Sequence, residues 1–246
     1  ATEVPDAAEP PPAGDAALPG GEFLLGACPT GELVFDNEKW AHPVDVAPFA
    51  IARAAVTNSQ FAAFVDDGGY RRREFWDVPM VLGGRPLAWE AAMARFTDRT
   101  GRPGPATWEA GDFPNGQADY PVSGVSWYEA AAYAKFRGKS LPTIFHWVRA
   151  ARTTSAAFII PRSNVEGHGP APVGSFHGVG PYGTYDMAGN VREWCANDAG
   201  GSRYILGGGW NDPGYAFNDA YTQPPFDRSA TNGIRLVRYQ GGDSTL

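Results

Sequence analysis

The sequence predicts an α+β domain with a small antiparallel sheet and much irregular loop, and three observations carry that prediction. Helical spacing of apolar residues is confined to two or three short segments, and apolar alternation comes only in short scattered runs. Between them, 31 glycines and 22 prolines in 246 residues punctuate the chain. Hydrophobic residues make up 43%, enough for a sizeable core, which excludes a disordered chain. No repeat and no internal linker divides it, so one domain is expected.

The elements follow in order. Residues 1–19, rich in Pro, Ala and acidic side chains, read as a linker ahead of a domain over 20–240 and a tail over 241–246. With neither a basic n-region nor an apolar h-region, the opening is not a signal peptide; a linker there is compatible with tethering to another domain. Glu22–Leu25 reads as a strand closed by Gly26, and the partial alternation over residues 42–52 as a strand pair. Thr57 or Asn58 caps a helix carrying Phe61, Phe64 and Val65, which Gly68-Gly69 stops. Residues 70–120 are a mostly irregular excursion with one short helix at Trp89–Phe96. Ser126-Trp-Tyr-Glu129 is a capping box, in which each side chain satisfies the other residue's exposed amide, and its helix runs to Gly138. Thr143 caps a third helix. From Phe158 onward there are Gly-punctuated turns with short strands at Tyr204–Leu206 and Ile234–Tyr239.

Composition excludes several function classes. The net charge is −7, and the one basic cluster, Arg71-Arg72-Arg73, runs straight into Glu74, so no nucleic-acid footprint exists. No apolar run approaches the ~18 residues of a membrane span. Two cysteines, Cys28 and Cys195, are no disulfide framework; they read as buried thiols, or less readily as one pair, and fit a reducing, cytoplasmic compartment. The four histidines, His42, His146, His168 and His177, lack the close spacing of a metal-binding helix. No Gly-x-Ser-x-Gly elbow is present for a serine hydrolase.

Seven motifs say more than composition. They are Gly20-Gly-Glu-Phe-Leu-Leu-Gly26, Val56-Thr-Asn-x-x-Phe61, Pro121-Val-Ser-Gly-Val-Ser-Trp127, Leu141-Pro-Thr-x-x-x-Trp147, Asp186-Met-Ala-Gly-Asn-Val-Arg-Glu-Trp194, Gly207-Gly-Gly-Trp210 and Gly233-Ile-Arg235. In this order and spacing, over about residues 20–240, the chain resembles the formylglycine-generating-enzyme (sulfatase-modifying factor) family. The resemblance implies that family's variant of the C-type lectin fold. Residues 34–76 are similar to the matching domain of ergothioneine-type sulfoxide synthases. Residues 66–239 resemble more closely a version attached to bacterial serine/threonine kinases, marked by Arg99–Trp108, Arg203–Trp210 and Pro225–Gly233.

The resemblance implies specific chemistry, part of it missing here. The family's oxidases bind copper through two thiolates placed shortly after the Gly-Gly motif, since soft sulfur holds Cu(I). Those positions fall on Asp212 and Phe217, so neither copper nor, without the synthases' separate helical domain, iron is expected. A structural calcium ion is expected, held by the Asp186 side chain, the Gly189 and Val191 carbonyls and the Glu193 carboxylate. The competing reading has Asp186 capping a turn and Glu193 pairing with an arginine. A second calcium site would begin at Asn164-Val165, and its loop, shortened to Glu166–Pro170, argues against it. Arg235 reads as a structural arginine buried against carboxylates.

Trp210, Asn211, Asp212, Tyr215, Phe217, Asn218, Asp219, Tyr221, Gln223, Asp227 and Arg228 interleave rigid aromatics with short polar groups, a mixture suited to binding. The expected function is therefore a non-catalytic module recognising a protein, peptide or glycan through residues 210–228. Related forms are a diversified variable protein or a kinase-linked sensor. The alternative is an oxidative enzyme domain that acts on a cysteine or sulfur substrate together with a partner domain.

Overall fold

The computed structural model describes residues 13–26 and 41–240. Its strands are β1 (Asp15–Leu18), β2 (Gly21–Leu25), β3 (His42–Val46), β4 (Phe49–Ala52), the short hairpin β5 (Val81–Leu82) and β6 (Arg85–Pro86), β7 (Arg192–Ala199), β8 (Ser202–Leu206), β9 (Tyr221–Gln223), β10 (Asn232–Gly233) and β11 (Val237–Tyr239). The α-helices are α1 (Asn58–Asp66), α2 (Trp89–Met93), α3 (Trp127–Phe136), α4 (Ile144–Ala151) and α5 (Ala156–Ile159).

Capping chemistry fixes where the main helices begin. Thr57 Oγ1 accepts the Gln60 amide while Gln60 Oε1 accepts the Thr57 amide, and Ser126 and Glu129 repeat the exchange at α3. At α4, Thr143 Oγ1 accepts the His146 amide. Each cap contributes about 1 kcal/mol, and together they set the entry of every long helix.

Sheet pairing is mostly antiparallel. One sheet has the order β1-β4-β11, a second β10-β7-β8-β9 with β10 parallel to β7, and β2-β3 form a separate ribbon. Alternating residues of β7 divide the core: Trp194 joins an aromatic cluster with Phe61, Phe64, Phe96, Trp108 and Tyr133 around α1 and α3. Cys195, pointing the other way, joins Leu18, Phe49, Ile51, Trp147 and Val237 under α4. Each fully buried large side chain contributes roughly 1.5–3 kcal/mol, so β7 ties both halves into one domain.

Three sequence expectations are corrected. Residues 15–18, assigned to the linker, are β1, with Ala16 and Leu18 buried against β4. Residues 42–52 hold two strands that do not pair with each other: β3 pairs with β2, while β4 lies between β1 and β11. Ala47-Pro48 separates them, and a proline cannot donate to a ladder. Residues 192–199, read as turn and tryptophan motif, form the longest strand among the described residues; Glu193, Trp194 and Cys195 are buried in succession, which erases the period-two signal. Residues 1–12, Cys28 and the 241–246 tail lie outside the described residues.

Candidate functional site

The site is built on the turn after β8. Gly207 and Gly208 take left-handed φ of +98° and +73°, and a Cβ on Gly207 would sit 2.7 Å from the Met187 carbonyl. Only glycine lets the chain lie this close to the neighbouring turn. Asp212 then folds back to accept the Gly209 amide at 2.6 Å and receives Arg192 bidentately at 2.7 and 2.8 Å. Burial opposes its charge, yet these donors outweigh burial and hold the Asp212 carboxyl below its usual range. Arg192 in turn lies over the Tyr221 ring, 4.7 Å from its centroid.

The candidate binding residues divide into three groups. Asn211, Tyr215 and Asn218 are exposed, Tyr215 by 57%, and Asp219, Tyr221 and Gln223 are half-buried beside them. Phe217 belongs to the core, buried edge-to-face on Trp147 with centroids 6.1 Å apart. Asp227 and Arg228 are architectural. Asp227 accepts the Ser229 amide and Asn232 Nδ2, and Arg228 meets the buried Glu129 at 2.9 Å and the carbonyls of Arg95, Thr97 and Gly104. Glu129 also accepts the Tyr70 hydroxyl at 2.7 Å, so this knot pins the 70–120 excursion to α3.

Trp210 lines a cleft of about 230 Å³ together with Arg99, Thr107, Gln117, Ser123 and the rings of Pro114, Pro121 and Pro170. Asn58, also on its wall, is already engaged with Trp108 and the Gln117 carbonyl. Apart from Trp210, these residues come from the 58–123 stretch, the 170 turn and Ala230, none of them a candidate binding residue. The signal was in the sequence, since Arg99–Trp108 and Pro121–Trp127 were among the resemblance's marks.

The candidate calcium loop is also compact. Asp186 and Asn190 take φ of +56° and +61°, and a Cβ on Gly189 would land on the Asn164 carbonyl. Asp186 is 3% exposed and accepts the Gly174 amide at 2.7 Å; burial pushes its carboxyl up to about 6, with Gly174 and Arg235 pulling the other way. Glu193 is fully buried and engaged by Arg235 at 2.7–2.9 Å and by Trp147 Nε1 at 2.6 Å. Arg235 is thus the buried structural arginine the sequence foresaw. Two carboxylates against one guanidinium leave a surplus negative charge, which fits a cation beside Asp186; a metal using Glu193 would share it with Arg235. Asn164 is occupied otherwise: its carbonyl accepts the Asn190 amide and its Nδ2 reaches the Gly169 carbonyl and Asn190 Oδ1.

Among the described residues, no three or more His, Cys, Asp or Glu side chains gather as a metal-binding group. Cys195 is a free thiol, fully buried, and burial raises its pKa well above the usual range, which disfavours a thiolate. His146 is pushed down to about 4 by burial between Phe49 and Tyr239. No helix among the described residues is long and apolar enough to cross a membrane.

A family model for the sulfatase-modifying factor enzyme 1-like domain matches residues 1–240. The hercynine oxygenase of Mycolicibacterium smegmatis is 30% identical over 94% of this chain, which spans 55% of that protein's length. The formylglycine-generating enzyme of Thermomonospora curvata is 34% identical over 75% of this chain and 71% of its own. The serine/threonine-protein kinase pkn1 of Chlamydia pneumoniae is 32% identical over 72% of this chain but only 26% of the kinase. Among solved structures, PvdO from Pseudomonas aeruginosa superposes with a TM-score of 0.63 at 23% identity, covering 91% of this chain and 93% of its own. Treponema denticola variable protein 1 gives 0.57 at 17% identity, over 92% and 94%. Fold, motif order and these matches agree: the chain is a single mixed helix-and-sheet domain belonging to the formylglycine-generating-enzyme, or sulfatase-modifying factor, family.

Proposed function

We propose that this domain is a non-catalytic recognition module that presents the 210–223 turn and the adjoining Trp210 cleft to a protein, peptide or glycan ligand. One observation carries the reading. At the two positions where the family resemblance places copper-binding cysteines, Asp212 is committed to Arg192 and Phe217 is packed in the core. Neither side chain offers the soft sulfur that Cu(I) requires. The same turn exposes Tyr215, Asn211 and Asn218, a rigid aromatic among adaptable polar groups. The kinase relative supports tethering to other domains. A structural calcium at Asp186, with the Gly189 and Val191 carbonyls, belongs to this proposal, supported by the surplus buried negative charge.

The test is capture of partners from source lysate by the parent and by a folded Trp210→Ala, Tyr215→Ala variant. A partner held by the parent and lost by the variant supports the module, whereas equal retention or no partner sinks it. Chelation of the calcium-loaded protein should lower its melting temperature; an unchanged melt removes the calcium proposal.

The hercynine oxygenase relative, aligned over 94% of this chain, favours a second reading, a domain of an oxidative enzyme completed by a partner domain. Copper or iron retained in stoichiometric amount through purification would favour it over the module.

A further inference from the structure

A second cavity, of about 290 Å³, shares no lining residue with the Trp210 cleft. It opens between the start of α1, the end of α3 and the β1–β4 edge, and its floor includes Ala52, Val56, Val173 and Leu236. Four charged side chains line it. Two of them neutralise each other: Lys139 Nζ meets Asp15 at 2.7 and 2.9 Å, with both side chains mostly buried. The other two have no ion-pair partner among the described residues. Arg137 donates to the Tyr133 hydroxyl at 3.1 Å, a neutral acceptor that occupies one of its five N–H groups. Asp119 is fixed through its backbone, whose carbonyl accepts the Val173 amide at 2.9 Å, leaving its carboxylate uncommitted.

We propose that this cavity binds a small zwitterion of amino-acid size, its carboxylate on Arg137 and its ammonium on Asp119. The charge pattern decides between ligand classes. A simple anion would be drawn to Arg137 but repelled by Asp119, and a simple cation would meet the reverse; one molecule carrying both charges satisfies both walls. The amides opening α1 do not make this an anion site by themselves, because Asn58 and Ser59 donate to Tyr120 and Ala118 carbonyls and Gln60 donates to its cap. Hydroxyls of Thr57 and Ser59, 3.0 Å apart, also line the cavity and add one donor to it. The small apolar floor selects a short aliphatic side chain over a large or charged one.

Calorimetric titration of the whole chain with glycine, L-alanine, L-valine and L-leucine tests this, with isovalerate and isobutylamine as the two single-charge halves of valine. Valine or leucine should saturate one site, with each half at least about tenfold weaker. Arg137→Gln and Asp119→Asn, both exposed positions, should each weaken binding by about tenfold or more. Trp210→Ala should leave it unchanged, so the result stands apart from the fate of the recognition surface. Absence of saturation by any amino acid, halves that bind as well as valine, or variants that bind like the parent would each overturn the proposal.

Discussion

Replacing Arg235 with methionine removes the guanidinium that offsets two buried carboxylates. In the parent it contacts Glu193 at 2.7–2.9 Å and donates to the carbonyls of Ala52 at 2.7 Å and Tyr185 at 2.6 Å, tying β4 and the 185 turn to β7. Both partners of the pair are fully buried. Stranding one member of such a pair costs about 3–5 kcal/mol, and orphaned carbonyls add about 1 kcal/mol or more. The expected loss, about 5 kcal/mol, is a large share of a domain's usual stability of about 5–15 kcal/mol. At about 2–4 °C per kcal/mol for a chain of this size, melting should fall by about 10–20 °C. Glu193→Gln should cost less. Glutamine keeps an acceptor for Trp147 Nε1, and Arg235 retains Asp186 as counter-charge, so about 2–3 kcal/mol is expected. The assay is urea unfolding followed by tryptophan fluorescence, with far-UV circular dichroism confirming the fold. An Arg235→Met loss under about 1 kcal/mol, or a Glu193→Gln loss larger than it, would refute the charge argument.

Two further outcomes follow from the same geometry. Asp212→Asn keeps the side-chain shape but removes the charge that holds Arg192, so it should cost about 1–2 kcal/mol in urea unfolding and weaken any partner captured through Tyr215; an unchanged midpoint would contradict the anchoring role. His146 has a folded pKa of about 4 against about 6.5 when unfolded, so between these values the unfolded chain binds more protons. The stability it supports is therefore whole above about pH 6.5 and is lost as pH falls toward 4, by about 3 kcal/mol at most and about 1 kcal/mol after allowing for its partial exposure. His146→Gln should flatten that part of the stability profile, and a slope unaltered by the substitution would assign it to other groups.

What the sequence revealed and what it hid divide along a physical line. Local chemistry was legible: Thr57, Ser126 and Thr143 cap their helices because a hydroxyl three residues ahead of an amide satisfies it whatever surrounds it. The Asp186–Trp194 motif located the buried charge site, and Arg235 was recognised as its arginine, because such a group is tolerated inside only against carboxylates. Non-local features were hidden. β1 looked like a linker since Ala-Ala-Leu carries little strand signal, and only pairing with the neighbouring β4 makes it an edge strand of that sheet. β7 hid for the opposite reason, being buried on both faces where it joins two cores.

Residues 210–228 illustrate the same boundary most sharply. An aromatic–polar run from 210 to 228 suggests a surface, but composition cannot distinguish a side chain that faces a ligand from one that holds the loop. The structure separates them by burial and packing: Phe217 packs on Trp147, Arg228 is held by Glu129 and three carbonyls, and Asp212 is held by Arg192, whereas the Tyr215 side chain is 57% exposed. The rigid members are what allow the exposed ones to be presented in one geometry, since a loop ordered before binding loses less entropy when a ligand arrives. Under the proposed reading, the residues at the positions where the resemblance places cysteines are not mere losses. Asp212 and Phe217 fasten the two ends of the turn that carries Tyr215, and the proposed recognition surface would depend on that fastening as much as on the tyrosine itself.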